Sequence, residues 1–422
     1  MSSVMTAPVV SQVSTHEKLL RARQAARRVA RLTSQEKNGI LRAMAAAIDR
    51  YAKEILEANQ ADLAANDLRS SSRDRLLLTS KRIAEMLAGI EAVINLPDPV
   101  GEVLEEWTRP NGLLIRKVRV PIGVVGVIYE SRPNVTVDAA TLALKAGNAA
   151  VLRGGREAVH TNERLVAILN QGGNLPVGSL ELLDSRSRDS VDELMLARGM
   201  VDVLVPRGGA DLINRMVEKA TVPVIETGAG NCHIYVDEDA DFDLADAVVI
   251  NAKTQRPSVC NSAEKLLVHR AIAAEYIPRI VKKLLDAGVE VRGDEQTLRF
   301  AAGLEVRAAG PDDWFTEYSA LVIAVAVVKG PDAAIAHINR YSTAHSEAII
   351  TRHEGRAREF LQRVDSAAVY WNASTRFTDG GEFGFGAEMG ISTQKLHCRG
   401  PFGLKELTSS KYQVLGSGQI RT

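Results

Sequence analysis

The hydrophobic positions in the first hundred residues follow a helical period. From Ser14 to about Leu96, apolar residues recur three and four positions apart, with polar residues between them. Ser14 and Thr33 are each followed by a glutamate three residues later. This spacing is typical of a capping box, in which the hydroxyl and the glutamate each accept a backbone N–H. The pattern predicts a helical N-terminal region, with helices beginning at these two positions.

A pattern with period two marks two later segments. The turn sequence Pro-Asn-Gly at 110–112 is followed by LLIRKVRV at 113–120, in which apolar and charged residues come to alternate. The segment SSKYQVLGSGQI near the C-terminus alternates in a similar way. We interpret residues 107–120 as a hairpin and the C-terminal segment as a further strand.

After Gly123, short apolar runs of strand length alternate with helical periods. One series extends from VVGVIYE to TVPVIETG, and a second begins at CHIYVD and extends to AAVYWNAS. Repeated strand–helix–strand units predict a parallel sheet with helices on both faces. We therefore predict two α/β domains that meet near residues 226–233. The length of 422 residues also favours more than one domain.

Composition and charge argue against several functional classes. Lys+Arg and Asp+Glu both number 52, so we expect no overall electrostatic attraction to nucleic acid or to an anionic membrane. No apolar run approaches the roughly 18 residues that span a bilayer. The three cysteines lie far apart without zinc-type spacing, so we expect no metal site and a reducing compartment. The first 18 residues lack the features of a signal peptide, which predicts a short disordered lead-in and a cytoplasmic protein.

Phosphate binding is indicated by glycines rather than by the usual dinucleotide fingerprint. The pattern G-x-G-x-x-G is absent from the sequence. Two pairs of glycines instead follow predicted strands and lie beside arginines: Arg153, Gly154, Gly155 and Arg156 in one place, and Arg207, Gly208 and Gly209 in the other. Glycine lets a backbone approach a ligand closely, a helix N-terminus offers N–H groups to an anion, and guanidinium suits phosphate. Such turns also form merely to make a tight connection, so the residues alone leave both roles open.

Four long stretches of the chain carry a resemblance to a known family. Residues 120–158, 222–237, 251–269 and 369–412 resemble the gamma-glutamyl phosphate reductases, a family within the aldehyde dehydrogenase superfamily. The resemblance extends over nearly the whole chain, from the helical N-terminus to about Tyr412. It implies an α/β, aldehyde dehydrogenase-like fold with two Rossmann-like α/β domains and a small β extension for oligomerisation.

The resemblance also implies how the chain is divided. The cofactor-binding domain would comprise residues 1–106 and 121–230, and the catalytic domain would comprise residues 231–395. Residues 107–120 and 402–422 would form a β flap, which in relatives pairs across a subunit boundary. We therefore expect a homo-oligomer, either a dimer or a tetramer, since an exposed edge strand otherwise invites aggregation.

The resemblance places the catalytic nucleophile on Cys260. From the residues alone, a buried and inert thiol is the commoner role of a cysteine. A nucleophilic cysteine must be a thiolate, which a helix N-terminus or a nearby cation favours. We interpret CNSAEKL as a turn into a short helix, and Lys253 and Arg256 lie close in sequence. Cys232 and Cys398 are expected to be buried and unreactive.

Three further residues receive roles from the resemblance. Asn134 would donate its side-chain amide to the oxyanion that forms on attack, together with the backbone N–H of Cys260. Glu226 matches the carboxylate that activates water in hydrolytic relatives. A reductase must protect its thioester from water, so this glutamate would serve proton balance or nicotinamide positioning instead, and a structural role is equally open. Glu317 would hold the nicotinamide ribose, although a surface glutamate before a strand is common.

The implied cofactor is NADPH/NADP. Arg153 stands where relatives carry a basic residue at the adenosine ribose, and Arg156 would receive a 2′-phosphate, which favours NADP over NAD. The two glycine pairs described above would lie at the cofactor.

The implied substrate is L-glutamyl 5-phosphate, which carries phosphate, carboxylate and ammonium groups. The candidates for binding it are Arg132, Arg256 and Arg376 for the anionic groups, and Asn372, Ser374 and Glu130 for the amino-acid end. The implied reaction is reduction to L-glutamate 5-semialdehyde through a cysteine thioester, the second step of proline biosynthesis. Transient contact with a separate glutamate 5-kinase is left open. The alternatives are a hydrolytic NAD-dependent aldehyde dehydrogenase and a catalytically silent relative.

Overall fold

The computed structural model describes residues 13–68 and 70–421, which divide into two compact units. The first unit is formed by the described parts of Met1–Val205, Glu218–Val224 and Leu407–Thr422, and the second by Pro206–Val217 and Ile225–Glu406. Each unit contains its own parallel sheet and its own helices, which confirms the predicted α/β fold. The first twelve residues of the predicted lead-in lie outside the described residues.

The elements are numbered in chain order. The helices are α1 (Thr15–Val29), α2 (Ser34–Arg50), α3 (Ala52–Ala65), α4 (Ser70–Leu76), α5 (Ser80–Asn95), α6 (Pro133–Lys145), α7 (Val159–Gly173), α8 (Asp189–Met195), α9 (Ala210–Lys219), α10 (Phe242–Thr254), α11 (Ala273–Asp286), α12 (Glu295–Phe300), α13 (Pro331–Tyr341) and α14 (Glu354–Arg363). The strands are β1 (Val103–Thr108), β2 (Leu114–Pro121), β3 (Val124–Tyr129), β4 (Ala149–Arg153), β5 (Leu180–Leu182), β6 (Val203–Arg207), β7 (Cys232–Val236), β8 (Ala263–His269), β9 (Glu290–Gly293), β10 (Val306–Ala308), β11 (Val322–Val328), β12 (Ser346–Ile350), β13 (Ala368–Trp371), β14 (Gly390–Ser392), β15 (Gly400–Phe402) and β16 (Thr408–Leu415).

The N-terminal helices begin where the capping pattern predicts. Thr33 forms the full capping box, because its backbone N–H donates to Glu36 at 2.7 Å and its hydroxyl accepts from the Glu36 N–H at 3.2 Å. Ser14 caps α1 with its hydroxyl alone, since the Glu17 carboxylate pairs with Arg21 at 2.6 Å. The helical prediction for this region is therefore confirmed, and only one of the two boxes is complete.

The parallel sheet of the first unit has the strand order β5-β4-β3-β6. Strands β3 and β4 pair in parallel, as do β4 and β5, and every residue of β3 is buried. A parallel strand covered on both faces has a continuous apolar sequence, and this explains the run VVGVIY. The strand order reverses at β3, which is where α/β sheets bind ligands at their carboxyl ends. Residues 130–134 follow directly from this end of β3.

A separate antiparallel sheet in the first unit has the order β1-β2-β16. The predicted hairpin is confirmed: Gly112 takes a positive φ of 84° in the turn between β1 and β2. The predicted C-terminal strand is also confirmed, and β16 pairs with β2 along its whole length, from Thr408 opposite Pro121 to Leu415 opposite Leu114. Strand β16 is an edge strand whose last seven residues are exposed.

The second unit contains a seven-stranded parallel sheet with the order β10-β9-β11-β8-β7-β12-β13. Alternate residues of its strands enter two hydrophobic clusters: Ile234 and Leu266 pack in one, and Tyr235 and Leu267 pack in the other. Both faces of the sheet are therefore covered, as the sequence pattern predicted. Across the described ranges, none of the helices has the length and apolar character that a membrane span requires.

Candidate active site

Cys260 lies in the connection between α10 and β8, which we call the nucleophile turn (residues 255–262). The side chain of Cys260 is half-buried. The predicted short helix after Cys260 is wrong, because residues 263–269 form β8, which is buried along its whole length in the centre of the sheet. The segment that follows Cys260 therefore provides no helix N-terminus for this thiol, and a nearby cation is the other source of stabilisation for a thiolate.

The backbone at Cys260 is held by the segment that leads into β7. The thiol of Cys232 donates to the carbonyl oxygen of Cys260 at 3.1 Å. Gly230 lies so close that a Cβ at this position would stand 1.4 Å from the same oxygen. Only glycine tolerates such an approach between two backbones. The sequence reasoning missed Gly230, although a glycine before a predicted strand was the available signal.

Asn261 ties the nucleophile turn to a 3-10 turn at Thr375–Phe377. The Thr375 hydroxyl donates to the Asn261 carbonyl at 2.7 Å, and the Asn261 amide donates to the Thr378 carbonyl at 2.8 Å. The guanidinium of Arg376 donates to the side-chain oxygen of Asn261 and, at 2.8 Å, to that of Gln255. Residues on both sides of Cys260 are therefore fixed by one short segment.

Two of the predicted substrate arginines, Arg256 and Arg376, lie at the nucleophile turn. Burial lowers the pKa of Arg376, and the positive charge of Arg256 adds to this effect. Arg256 is exposed to solvent. The two guanidinium groups give this side of Cys260 a positive character, which suits both a thiolate and an anionic substrate.

The structure gives Asn372 and Ser374 local roles. Asn372 has a positive φ of 56°, and both ends of its amide bond to the backbone of Thr351 at 3.0 Å. The Ser374 hydroxyl accepts from the Arg376 N–H at 3.3 Å. Both side chains stabilise the segment that carries Arg376.

The predicted oxyanion residue, Asn134, belongs to the first unit. It lies in the first turn of α6, after Pro133 at the first helical position, and its side chain is exposed. The Asn134 amide donates to the carboxylate of Asp138 at 3.2 Å. Arg132 and Glu130, the other substrate candidates of this unit, lie in the loop that joins β3 to α6.

Glu226 is half-buried at the start of the loop that reaches Cys260 through Gly230. Its backbone N–H donates to the side chain of Gln394 at 2.9 Å. The adjacent Thr227 donates its hydroxyl to the carbonyl of Pro206 at 2.5 Å. The backbone of Glu226 is therefore fixed, and its carboxylate makes no hydrogen bond with the described residues.

Buried titratable groups lie behind the nucleophile turn. His345 bonds to the Ser346 hydroxyl at 2.8 Å and approaches the Cys232 thiol at 3.9 Å. Burial lowers the pKa of His345 to about 4 and raises the pKa of Cys232 well above its usual value. Burial also raises the pKa of Cys398 to about 12. The expectation that Cys232 and Cys398 are buried thiols is confirmed.

Glu317 is half-buried in the loop before β11. The neighbouring residues of this loop are bonded to two fully buried side chains of β8, Glu264 and Lys265. Burial raises the pKa of Glu264 to about 7 and lowers that of Lys265 to about 8. The sequence reasoning missed both residues.

The first glycine pair has a clear packing requirement. A Cβ on Gly154 would lie 2.2 Å from the amide nitrogen of Asn162, and one on Gly155 would lie 2.1 Å from the Glu157 carboxylate. The buried nitrogen of Asn162 has no hydrogen-bond partner among the described residues. At Gly209, before α9 in the second unit, an added Cβ would meet nothing within 4 Å. The packing requirement therefore holds for the first pair and not for Gly209.

The two arginines beside the first glycine pair differ in their freedom. Arg153 donates to the carbonyls of Gly154, Ser185 and Ser187 at 2.9–3.3 Å, and burial lowers its pKa. Arg156 is exposed and donates one bond, to the carbonyl of Arg186 at 2.9 Å. The exposed guanidinium of Arg156 is chemically suited to a phosphate group. Among the residues that the structure describes, no group of three or more potential metal ligands comes together.

Comparisons with known proteins identify the family of this chain. The model of the aldehyde dehydrogenase family matches residues 2–298. A gamma-glutamyl phosphate reductase from Koribacter versatilis is 66% identical over 97% of this chain and 100% of that protein. Another, from Caldicellulosiruptor bescii, is 54% identical over 96% of this chain and 99% of that protein.

Solved structures give the same result. The crystal structure of gamma-glutamyl phosphate reductase from Thermotoga maritima superposes with a TM-score of 0.94 at 50% identity, covering 97% of this chain and 100% of that one. An acetylating aldehyde dehydrogenase from Geobacillus thermoglucosidasius has a TM-score of 0.70 at 17% identity, over 97% of both chains, and so shares the fold.

The two α/β units and the family match define the class of protein: an oxidoreductase of the aldehyde dehydrogenase family, whose enzymes use nicotinamide cofactors. Within that family, the chain belongs to the gamma-glutamyl phosphate reductases.

The contact at Gly230 gives a first prediction. In Gly230→Ala, the Cβ would meet the Cys260 carbonyl and displace the nucleophile turn, so we expect the free energy of unfolding to fall by about 2 kcal/mol. The alkylation rate of Cys260 by iodoacetamide should also change. Gly89→Ala is the matched control, because a Cβ there meets nothing within 4 Å. Parental stability and parental alkylation in Gly230→Ala would contradict the close contact.

The burial of His345 gives a second prediction, about acid stability. Its pKa is near 6.5 when unfolded and about 4 when folded, so only the unfolded state gains a proton between pH 7 and pH 5. The favourable contribution of the neutral imidazole is complete above pH 6.5 and is lost as pH falls. Because His345 takes up a proton in the unfolded state, we expect the free energy of unfolding to be about 2 kcal/mol lower at pH 5.

Chemical denaturation at pH 7 and pH 5 measures this effect. In His345→Asn, the difference between the free energies of unfolding at pH 7 and pH 5 should be smaller than in the parent by about 2 kcal/mol. This holds whatever the absolute stability of the variant. The exposed His16→Asn is the control and should keep the parental difference. A parental difference in His345→Asn would show that this imidazole is not held neutral.

Proposed function

We propose that the enzyme catalyses the NADPH-dependent reduction of L-glutamyl 5-phosphate to L-glutamate 5-semialdehyde and phosphate, the second step of proline biosynthesis. The observation that carries this proposal is the 66% identity to a gamma-glutamyl phosphate reductase over 97% of the chain. The half-buried thiol of Cys260, fixed in the nucleophile turn beside two arginines, supports it. We further propose that the enzyme works in the cytoplasm.

In the proposed reaction, the Cys260 thiolate attacks the carbonyl carbon of the acyl phosphate. A carbon–sulfur bond forms, the bond from carbon to the phosphate oxygen breaks, and inorganic phosphate leaves with the electron pair. Phosphate is a good leaving group, so little acid assistance is required. The step yields a thioester and divides one difficult reaction into two easier ones.

The oxyanion of the attack step would be stabilised by the Asn134 amide and the backbone N–H of Cys260. Removing one such donor typically raises the barrier by roughly 3–4 kcal/mol. Arg256, Arg376 and Arg132 would provide positive charge for the phosphate and the α-carboxylate. Asn372 is a weaker candidate, because both ends of its amide already bond to Thr351.

The cofactor-binding residues that we propose are those indicated by the resemblance. When bound, NADPH would supply the hydride for the thioester carbon, and the aldehyde would form as the carbon–sulfur bond breaks and Cys260 leaves as the thiolate. Its ribose and phosphate groups would be received by Arg153, Gly154, Gly155, Arg156, Gly208, Gly209 and Glu317. Arg156 is the stronger candidate for a 2′-phosphate, because most donors of Arg153 are taken by backbone carbonyls.

For Glu226 we propose a role in proton balance or in positioning the nicotinamide. Its carboxylate has no hydrogen-bond partner among the described residues, whereas its backbone is anchored by Gln394. A carboxylate that activated water would hydrolyse the thioester, which this reaction must avoid.

We also propose that the enzyme is a homo-oligomer, a dimer or a tetramer. The edge strand β16 exposes Tyr412, Val414 and Leu415 beside unpaired backbone groups. Pairing of such an edge with another subunit would cover it. A separate glutamate 5-kinase would supply the labile substrate, by transient contact or by diffusion.

The reaction is tested in the reverse direction. With the semialdehyde and NADP, we expect continuous NADPH formation only when phosphate is present, and a slower rate with NAD. Without phosphate, the thioester cannot be released, so at most one equivalent of NADPH per active site should form. Continuous oxidation without phosphate would favour a hydrolytic aldehyde dehydrogenase.

The same assay tests the nucleophile. Cys260→Ser should lower kcat by about a thousandfold or more. Cys398→Ser is the matched control and should retain the parental rate, since this buried thiol lies outside the proposed machinery. A Cys260→Ser variant with parental activity would revive a mechanism without a thiol.

A further inference from the structure

We propose that Glu264 and Lys265, at the start of β8, are positioning residues that hold Glu317 in place for the nicotinamide ribose. The inference rests on the proposed function in assigning Glu317 to the cofactor. It goes further by naming the groups that fix this carboxylate relative to the nucleophile turn.

The first observation is an unusual concentration of buried charge. Lys253, Glu264 and Lys265 each have a relative exposure of 0%. Lysine and glutamate are almost never fully buried unless they are paired, because removing a charge from water is costly. The Lys253 ammonium lies 3.2 Å from the Glu264 carboxylate, which balances one pair of charges. Apolar residues could fill such a space at no greater cost, so packing alone does not explain these three.

The second observation is where these charged groups bond. The Glu264 carboxylate accepts the backbone N–H groups of Tyr318 at 3.2 Å and Ser319 at 3.3 Å. The Lys265 ammonium donates to the carbonyl of Thr316 at 2.8 Å. These three backbone groups flank Glu317 on both sides in the sequence. The backbone of Glu317 is therefore clamped from both directions, while its own carboxylate makes no hydrogen bond with the described residues.

The loop is strengthened further around this clamp. Ser319 adopts a positive φ of 51°, which is strained for a residue with a side chain and persists only where the surroundings enforce it. The Lys265 ammonium stands 4.6 Å from the centre of the Tyr318 ring. The Tyr318 hydroxyl donates to Asp313 at 2.7 Å, and Arg292 bonds to the same carboxylate oxygen at 2.6 Å. These contacts fix the loop before β11, so the carboxylate of Glu317 is held in one place.

The third observation is proximity along the chain. Glu264 follows Cys260 by four residues, and Lys253 lies in the last turn of α10, just before the nucleophile turn. One short segment therefore carries the nucleophile and also clamps the loop of Glu317. Such a segment would fix the distance between the thiol and the nicotinamide ribose, which hydride transfer requires.

Glu264→Gln tests the inference. The amide keeps the shape of the side chain but loses the charge and one acceptor, so one of the two N–H bonds is lost. We expect the Kd for NADPH, measured by fluorescence titration, to rise about tenfold. Hydrogen exchange should accelerate at the amides of residues 318 and 319 in the enzyme without ligand. Glu347→Gln is the matched control: it replaces another fully buried glutamate of the same unit with its isosteric amide and should leave both readouts unchanged.

Two double variants separate positioning from stability. Adding Lys253→Met to Glu264→Gln removes the unpaired ammonium and should recover stability without recovering NADPH affinity. Adding Glu264→Gln to Glu317→Gln should raise the Kd no further, because both changes act through one carboxylate. The inference would be overturned if Glu264→Gln raised the Kd for NADPH by the same factor in the parent enzyme and in Glu317→Gln. It would also be overturned if Glu264→Gln alone kept the parental Kd or the parental exchange rates at residues 318 and 319.

Failure of this inference can be distinguished from failure of the proposed function. If Glu317→Gln binds NADPH with the parental Kd, the inference is wrong while the proposed reaction stands. If the parent enzyme binds NADPH but shows no phosphate-dependent reaction with the semialdehyde, the proposed function is wrong and the clamp is still judged by the binding and exchange results.

Discussion

The hydrogen bonds between the nucleophile turn and the 3-10 turn at Thr375–Phe377 are the interaction on which the site depends. A thiol in a connection between a helix and a strand has no fixed position of its own. Asn261 and Gln255 fix the chain on either side of Cys260 through Arg376 and Thr375. The backbone of Gly230 also packs directly against the carbonyl group of Cys260. The proposed nucleophile therefore has a defined place in the chain.

The second constraint is the burial of charge next to this turn. Glu264 and Lys265 are fully buried, and their bonds are made to the loop of Glu317. Hydrophobic side chains would give the sheet as much stability without these bonds. We therefore infer that Glu264 and Lys265 serve to position the loop of Glu317, the residue proposed to bind the cofactor.

Local patterns in the sequence predicted much of the fold. The capping box at Thr33, the hairpin turn at Gly112 and the alternating strands and helices all depend on neighbouring residues, and they appear as expected. The segment after Cys260 was predicted wrongly, because glutamate and lysine favour helices while the central sheet position favours a strand. Gly230 and Glu264 were missed because their partners, Cys260 and the loop of Glu317, lie 30 and 54 residues away in the chain. The proposal that Cys260 is the nucleophile rests on resemblance, since a lone cysteine carries no such signal.

The most direct measurement of the central claim is the covalent state of Cys260 during the reaction. The enzyme is mixed with the semialdehyde and NADP in the absence of phosphate, quenched in acid and digested with trypsin. The peptide Thr254–Lys265 contains Cys260 as its single cysteine. Mass spectrometry should find a glutamyl group on this peptide, in proportion to the NADPH formed. NADPH formation with an unmodified peptide, or with the group on another residue, would contradict the account.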